Sequence, residues 1–167
     1  MGTLTVGRYT TAGAASDTHG YTAGGYGPGA VNTIDKFPFA TENNATDVGD
    51  LTQARFLASG TNSGENGYAS GGFAPSAPGR VNIIDKYPFS TDTNASDVGD
   101  LSTTNRDKMA GNSSKTHGYG SSGESTPSPA PTVPEATIDK FPFAVDANAT
   151  DVGDVATNRV RSHGTQV

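Results

Sequence analysis

The sequence predicts an all-β chain assembled from repeated four-stranded units. Three observations carry that expectation. "IDKFPFATENNATDVGDLT" at 34–52 returns as "IDKYPFSTDTNASDVGDLS" at 84–102 and "IDKFPFAVDANATDVGDVA" at 138–156. Glycine occurs 22 times in 167 residues, roughly twice the average frequency of about 7%, and turn signals fall roughly every ten residues. No window of about 11 residues places apolar side chains at i, i+3, i+4 and i+7 without an interrupting Gly or Pro, so no amphipathic helix is supported.

Starting each unit after "VGD" divides the chain into units 4–50, 51–100 and 101–154, with a partial fourth unit over 155–167. All of it reads as a single repeat domain, residues 1–167. An Arg opens each unit (Arg8, Arg55, Arg106, Arg159) and a Gly follows five residues later (Gly13, Gly60, Gly111, Gly164). Such phase-locked recurrence is the mark of stacked supersecondary units that bury their apolar faces against one another.

Each strand has a local warrant. "RYTTAGA", "RFLASGT" and "RDKMAGN" give the first strand of the three units, "GYTAGG", "GYASGG" and "GYGSSG" the second, and "VNTIDKFPFA" with its copies the third. A short fourth strand surrounds "DVGDLT". Pro between the two aromatics of the third strand removes an amide donor, which suits an edge or a bulge. Tyr21, Tyr68 and Tyr119, with Phe37, Phe39, Tyr87, Phe89, Phe141 and Phe143, are expected to fill the spaces between units. Burial of each such ring is worth on the order of 1.5 to 3 kcal/mol.

Length varies in one place. From the last Gly of the Gly-Gly to the repeated Ile the chain takes 9, 12 and 15 steps (Gly25 to Ile34, Gly72 to Ile84, Gly123 to Ile138). Pro, Gly, Ser and Ala dominate these segments, as in surface loops that tolerate insertion. Loops 26–33, 73–83 and 124–137 are therefore the candidate binding surface, through Tyr26, Pro28, Phe73, Pro75, Arg80, Glu124, Pro127 and Pro129.

Four strands in about 50 residues, Tyr21 with Gly24-Gly25, Ile34-Asp35-Lys36-Phe37, Val48 with Leu51, and then Arg55 together resemble the kelch β-propeller repeat. The Trp of that repeat is absent, Phe-Pro-Phe stands where its Tyr-Asp arrangement falls, and the third Gly pair is Ser122-Gly123. The resemblance implies four-stranded propeller blades. Propellers close with about 4 to 8 of them, so three full units imply closure by oligomerisation. A β-trefoil, which also has three units of four strands, is the alternative. The phrasing "THGY…GG…IDKFPFA…ATDVGD" also resembles repeat-containing virion proteins of marine bacteriophages, cyanophages among them.

Composition narrows the partners. A net charge of −6 with 11 basic residues argues against a phosphate-neutralising surface, so no nucleic acid is expected. No signal peptide and no membrane span is read in the sequence, and without Cys there is neither a disulfide framework nor a thiolate site. The expected location is a virion or the extracellular space. The expected partners are further copies of the chain or other virion proteins, with a host-surface glycan as the ligand of the alternative reading.

No catalytic or metal site is expected. "DTNASDVGD" offers oxygen ligands at alternate positions, and calcium is the cation it could hold, but the sixth position of a calcium loop is Gly and here is Asp97. Asn44, Asn94 and Asn148 are instead expected to cap local Asx-turns; their glycosylation sequons need a secretory route that nothing here suggests. His19, Asn66 and His117 are expected in left-handed turn positions. The repeated Arg residues are expected to pair with carboxylates such as Asp50, Asp100 or Asp154. A copper-radical oxidase needs a Cys, and a glycosidase needs two unequal carboxylates, whereas these Asp residues repeat symmetrically. A non-enzymatic structural component of a phage virion or similar particle is the expected function; recognition of a host glycan or protein by the variable loops is the alternative.

Overall fold

The computed structural model describes residues 2–77, 79–102, 105–125 and 131–158, and these are all-β, without a helix. Accordingly, no helix among them is long and apolar enough to cross a membrane. Unit one holds Ala12–Ala15 (β1), His19–Ala23 (β2), Thr33–Pro38 (β3) and Thr46–Asp50 (β4). Unit two holds Ser59–Asn62 (β5), Asn66–Ser70 (β6), Phe73–Ala74 (β7), Gly79–Arg80 (β8), Ile83–Pro88 (β9) and Ser96–Asp100 (β10). Unit three holds Arg106–Asp107 (β11), Ala110–Ser113 (β12), His117–Ser121 (β13), Glu124–Ser125 (β14), Val133–Pro134 (β15), Thr137–Pro142 (β16) and Thr150–Asp154 (β17).

Each unit makes one antiparallel meander: β1-β2-β3-β4, β5-β6-β9-β10 and β12-β13-β16-β17. Every strand pairing among the described residues stays inside one unit. A trefoil barrel shares strands among its units, so that alternative is set aside. The registers repeat: Gly20 lies opposite Phe37, Gly67 opposite Tyr87 and Gly118 opposite Phe141. In all three pairs the missing side chain makes room for the ring across the ladder.

Pro38, Pro88 and Pro142 end the third strands, beyond the first residue of the fourth strand beside them (Thr46, Ser96 and Thr150, which pair with Lys36, Lys86 and Lys140). The irregularity of the ladder lies elsewhere, where Val48, Val98 and Val152 have no residue opposite them. Strand-end placement removes the Pro donor question without a bulge, because no neighbour asks for that amide.

Sheets meet face to face, and the core lies between units. Ala12, Tyr21, Ile34, Leu51, Ala69 and Tyr87 are buried between units one and two, and Tyr68, Ile84, Leu101, Met109, Phe141 and Ala149 between units two and three. The first strands sit side by side, with β5 between β1 and β12. They can do so because a Cβ on Gly60 would stand 2.1 Å from the Gly13 carbonyl oxygen, and one on Gly111 2.1 Å from that of Gly60.

Positive φ angles fall at Thr10 (56°), Leu57 (59°) and Lys108 (58°), two residues after each unit's Arg, and at Ser122 (64°). The expected left-handed residues, His19, Asn66 and His117, instead open extended strands β2, β6 and β13. Ser16, Ser63 and Ser114 hydroxyls accept their amides and hold the preceding turn, so no αL residue is needed there. The strain at Leu57 has a structural return: its amide donates to Thr10 O (3.0 Å), and its carbonyl accepts from Lys108 N (3.0 Å), linking all three units.

Candidate functional site

Two sets of polar groups compete for the description of a site, one repeated and one variable. The repeated set is a buried node. Arg8 faces Asp35 at 3.2 Å and Arg55 faces Asp85 at 3.0 Å, while Arg106 contacts Asp139; all six side chains are fully shielded from solvent. Each carboxylate also accepts from the amide and hydroxyl of a residue just after the preceding "GD" or its N-terminal counterpart: Thr5 (3.0 and 2.6 Å), Thr52 (3.0 and 2.7 Å), and Ser102 through its amide (3.0 Å) and hydroxyl. The guanidinium groups reach on to strand-end carbonyls, Arg8 to Thr22 O and Arg55 to Ala69 O, both at 3.0 Å.

The expected partners Asp50, Asp100 and Asp154 are therefore replaced by Asp35, Asp85 and Asp139. Burial pushes the Arg55 guanidinium below its ordinary value, and the charge of Asp85 opposes that shift. Each carboxylate receives a guanidinium, an amide and a hydroxyl, all of them groups of the fold itself. The node fixes the crossing segment to the third strand of each unit.

Two further repeated contacts cross between units. Asn94 Oδ1 accepts from Asp50 N and Asn148 Oδ1 from Asp100 N, each at 3.0 Å, while Asn44 Oδ1 accepts from Thr3 N at 3.1 Å. These side chains staple a neighbouring segment rather than closing their own turns. The local Asx contacts belong to Asp47, Asp97 and Asp151, which accept from Gly49, Gly99 and Gly153. Lys36 pairs with Asp92 at 2.9 Å, and Lys86 pairs with Asp146. Among the described residues no group of three His, Asp or Glu converges as a metal site would require.

The variable set lies in hairpins that follow the Gly-Gly. Tyr26 bridges Tyr9 and Ala30, and Phe73 bridges Phe56 while opening the β7–β8 hairpin. In unit three β14 pairs with both β11 and β15. These segments are short hairpins rather than plain loops. In units two and three the paired ribbon is two residues a side, and the added length falls in the connection between its two strands.

Side by side the hairpins divide into an aromatic half and a charged half. Tyr9, Tyr26, Phe56 and Phe73 form a continuous row with ring centroids 5.8, 5.0 and 5.4 Å apart. Tyr9 is 62% exposed, and Pro28 and Pro75 are exposed beside the row. In unit three Asp107 takes the place of Tyr9 and Phe56, and Glu124 that of Tyr26 and Phe73. Arg80 reaches across from unit two to Asp107 (2.9 Å) and Glu124 (2.7 Å), and Lys108 also contacts Glu124. Pro127, Pro129 and Arg159 lie outside the described residues.

No protein-family model matches the chain, and no curated protein matches it. Its chemistry is thus read from geometry alone. Of the candidate residues, the structure brings Tyr26 to Phe73 through Phe56 and brings Arg80 to Glu124. Tyr21 stacks on Phe89 at 4.5 Å and Tyr68 on Phe143 at 4.9 Å, whereas Phe37 and Phe39 meet each other at the outer face of unit one. Sequence reading missed Tyr9 and Phe56 in the aromatic row, and Thr5, Thr52 and Ser102 in the node. The signal for the last three was present: a hydroxyl residue follows Leu in each "LT" or "LS".

Proposed function

We propose that this chain is a non-enzymatic structural component of a particle, a bacteriophage virion, in which its units stand as kelch-like propeller blades. One observation supports the reading above others: the buried charged groups repeat in all three units and are committed to the same internal node. Enzymes set unlike environments around paired groups; here the environments are copies. Variation is confined to one rim, so a constant scaffold presents three different hairpins.

The test is fractionation of purified particles from infected cells. The chain is expected to band with the particle at a fixed copy number after a density gradient and a high-salt wash. Recovery only in the soluble fraction would overturn the proposal.

A second reading, recognition of a host-surface glycan, is favoured by the aromatic row Tyr9, Tyr26, Phe56 and Phe73, in which Tyr9 is exposed and the other three rings are half-buried, since aromatic faces suit sugar rings. Exchanging loops 26–33, 73–83 and 124–137 separates the two. Altered host adsorption with intact particles supports recognition; failed assembly supports the structural role.

A further inference from the structure

Three grooves of the fold hold the same kind of four-residue segment. Residues 49–52 lead from unit one to unit two and 99–102 from unit two to unit three, while residues 2–5 lie against unit one through the same contacts. Asp50 N donates to Asn94 Oδ1 (3.0 Å) and Ala95 N donates to Asp50 O (2.8 Å). Asp100 repeats both bonds with Asn148 (3.0 Å) and Ala149 (2.7 Å), and Thr3 repeats them with Asn44 (3.1 Å) and Ala45 (2.9 Å). Two residues further on, Thr52, Ser102 and Thr5 each donate an amide and a hydroxyl to the buried Asp85, Asp139 and Asp35.

Each position of the segment has its own requirement. The first is glycine, because a Cβ would stand 2.5 Å from Thr93 O at Gly49, 2.6 Å from Ala147 O at Gly99 and 2.1 Å from Asn43 O at Gly2, all of them backbone atoms. The second is held through its backbone, and Asp50, Asp100 and Thr3 all serve there. The third is Leu, buried at Leu51 and Leu101 and half-buried at Leu4. The fourth supplies the hydroxyl that the node carboxylate receives. Before the glycine the two internal segments carry Val48 and Val98, which pack against the inter-unit cores.

The groove of unit one is held less firmly than the other two. Residues 2–5 belong to no strand, and Gly2, Thr3 and Thr5 are exposed. A cavity of about 290 Å³ opens beside Gly2, Phe37 and Ala45. The counterparts of Phe37 and Ala45 in unit two, Tyr87 and Ala95, lie in the layer that also takes Val48.

We propose that this groove is a peptide-binding site for an extended Val-Gly-x-Leu-Thr or Val-Gly-x-Leu-Ser segment of another polypeptide, with residues 2–5 as an internal stand-in that the segment displaces. The incoming segment remakes the bonds to Asn44, Ala45 and Asp35, and its Val enters the cavity beside Phe37. Main-chain bonds supply affinity and the side-chain pockets supply specificity, as in other extended-peptide sites. Residues 153–156, Gly-Asp-Val-Ala, lack both the Leu and the hydroxyl. Unit three of a second copy is thus a poor occupant, and the partner is a different chain.

The probe is the synthetic peptide TDVGDLTQ, the sequence of residues 46–53, labelled with fluorescein and titrated with the full chain by anisotropy. Binding is expected to be weak, since the tethered residues 2–5 compete at an effective concentration on the order of millimolar. Gly2→Val, which drives residues 2–5 away from Asn43 O, is expected to tighten binding on the order of tenfold, with circular dichroism verifying the fold. Thr5→Ala, which deletes the stand-in's hydroxyl bond to Asp35, should act in the same direction. In the peptide, Gly49→Ala should abolish binding and Thr52→Ala should weaken it about tenfold. Absence of binding to all three forms of the chain overturns the proposal. So does binding that the Gly49→Ala peptide reproduces.

Discussion

Arg55 and Asp85 face each other at 3.0 Å with neither side chain exposed, and the same relation holds for Arg8 with Asp35 and Arg106 with Asp139. Removing one partner strands the other charge in a dry site, which costs about 3 to 5 kcal/mol. Arg55→Ala is therefore expected to lower Tm by about 10 °C in a chain of this size. Arg55→Lys recovers little, because an ammonium cannot reach both Asp85 and the Ala69 carbonyl as the guanidinium does. Thermal melts check this; an unchanged Tm for Arg55→Ala removes the node from the account of stability.

Tyr87 carries the second prediction. Its ring is buried between units one and two, its hydroxyl has no hydrogen-bond partner among the described residues, and units one and three place Phe37 and Phe141 at the same position. Burial pushes its pKa well above the ordinary tyrosine value. The folded state then keeps the proton while the unfolded chain releases it at a pH of about 10. Above that pH the unfolded state binds fewer protons, so stability falls as pH rises and is at its full value below it. Tyr21 and Tyr68 are shifted upward too, chiefly by burial, and act in the same direction. Tyr87→Phe should leave Tm at neutral pH unchanged or slightly higher, and should flatten its decline between about pH 10 and 12. Melts across that range decide it.

Much of this architecture was legible in the sequence because its constraints are local. The constant reach from Ile34, Ile84 and Ile138 to the next unit corresponds to two paired strands and the turn joining them, and the variable segment corresponds to one hairpin. The charge pairing was not legible. Asp50 stands five residues before Arg55 in sequence, whereas Asp85 stands thirty after it, beyond the hairpin whose length varies. That variation disguises a fixed spatial relation as a drifting one. His19 and His117 misled for another reason: a Ser hydroxyl three residues earlier holds the turn, and the side chain needs no special backbone region. The aromatic row was half seen, since Tyr9 and Phe56 belong to first-strand phrases far from the loops they join.

Ser122 holds φ 64°, where units one and two use Gly24 and Gly71 at φ 62°. A side chain in the left-handed region costs roughly 1 to 2 kcal/mol, while glycine adds unfolded-state entropy worth about 0.5 to 1 kcal/mol. Ser122→Gly should therefore stabilise the fold by about 0.5 to 1 kcal/mol. Its carbonyl, which accepts from Arg106 Nη1 at 3.2 Å, is retained. Urea denaturation gives the sign directly, and a loss of stability would mean that the hydroxyl makes a contact worth more than the backbone strain.

The close approach of first strands yields a matched pair of substitutions. Gly60 and Gly13 hold the same place in consecutive units, and neither has a positive φ. Yet a methyl group on Gly60 would stand 2.1 Å from the Gly13 carbonyl oxygen and 2.6 Å from its nitrogen, backbone atoms that no side-chain rotation can move aside. A methyl on Gly13 meets nothing within 4 Å. Relieving the first clash means separating β1 from β5 and with them the buried layer of Tyr21, Leu51 and Tyr87. Overpacking of that kind costs about 1 to 3 kcal/mol. Gly60→Ala should lower Tm by several degrees, whereas Gly13→Ala should leave it unchanged. Equal effects of the two would mean that strand propensity, rather than contact between units, sets the requirement for glycine.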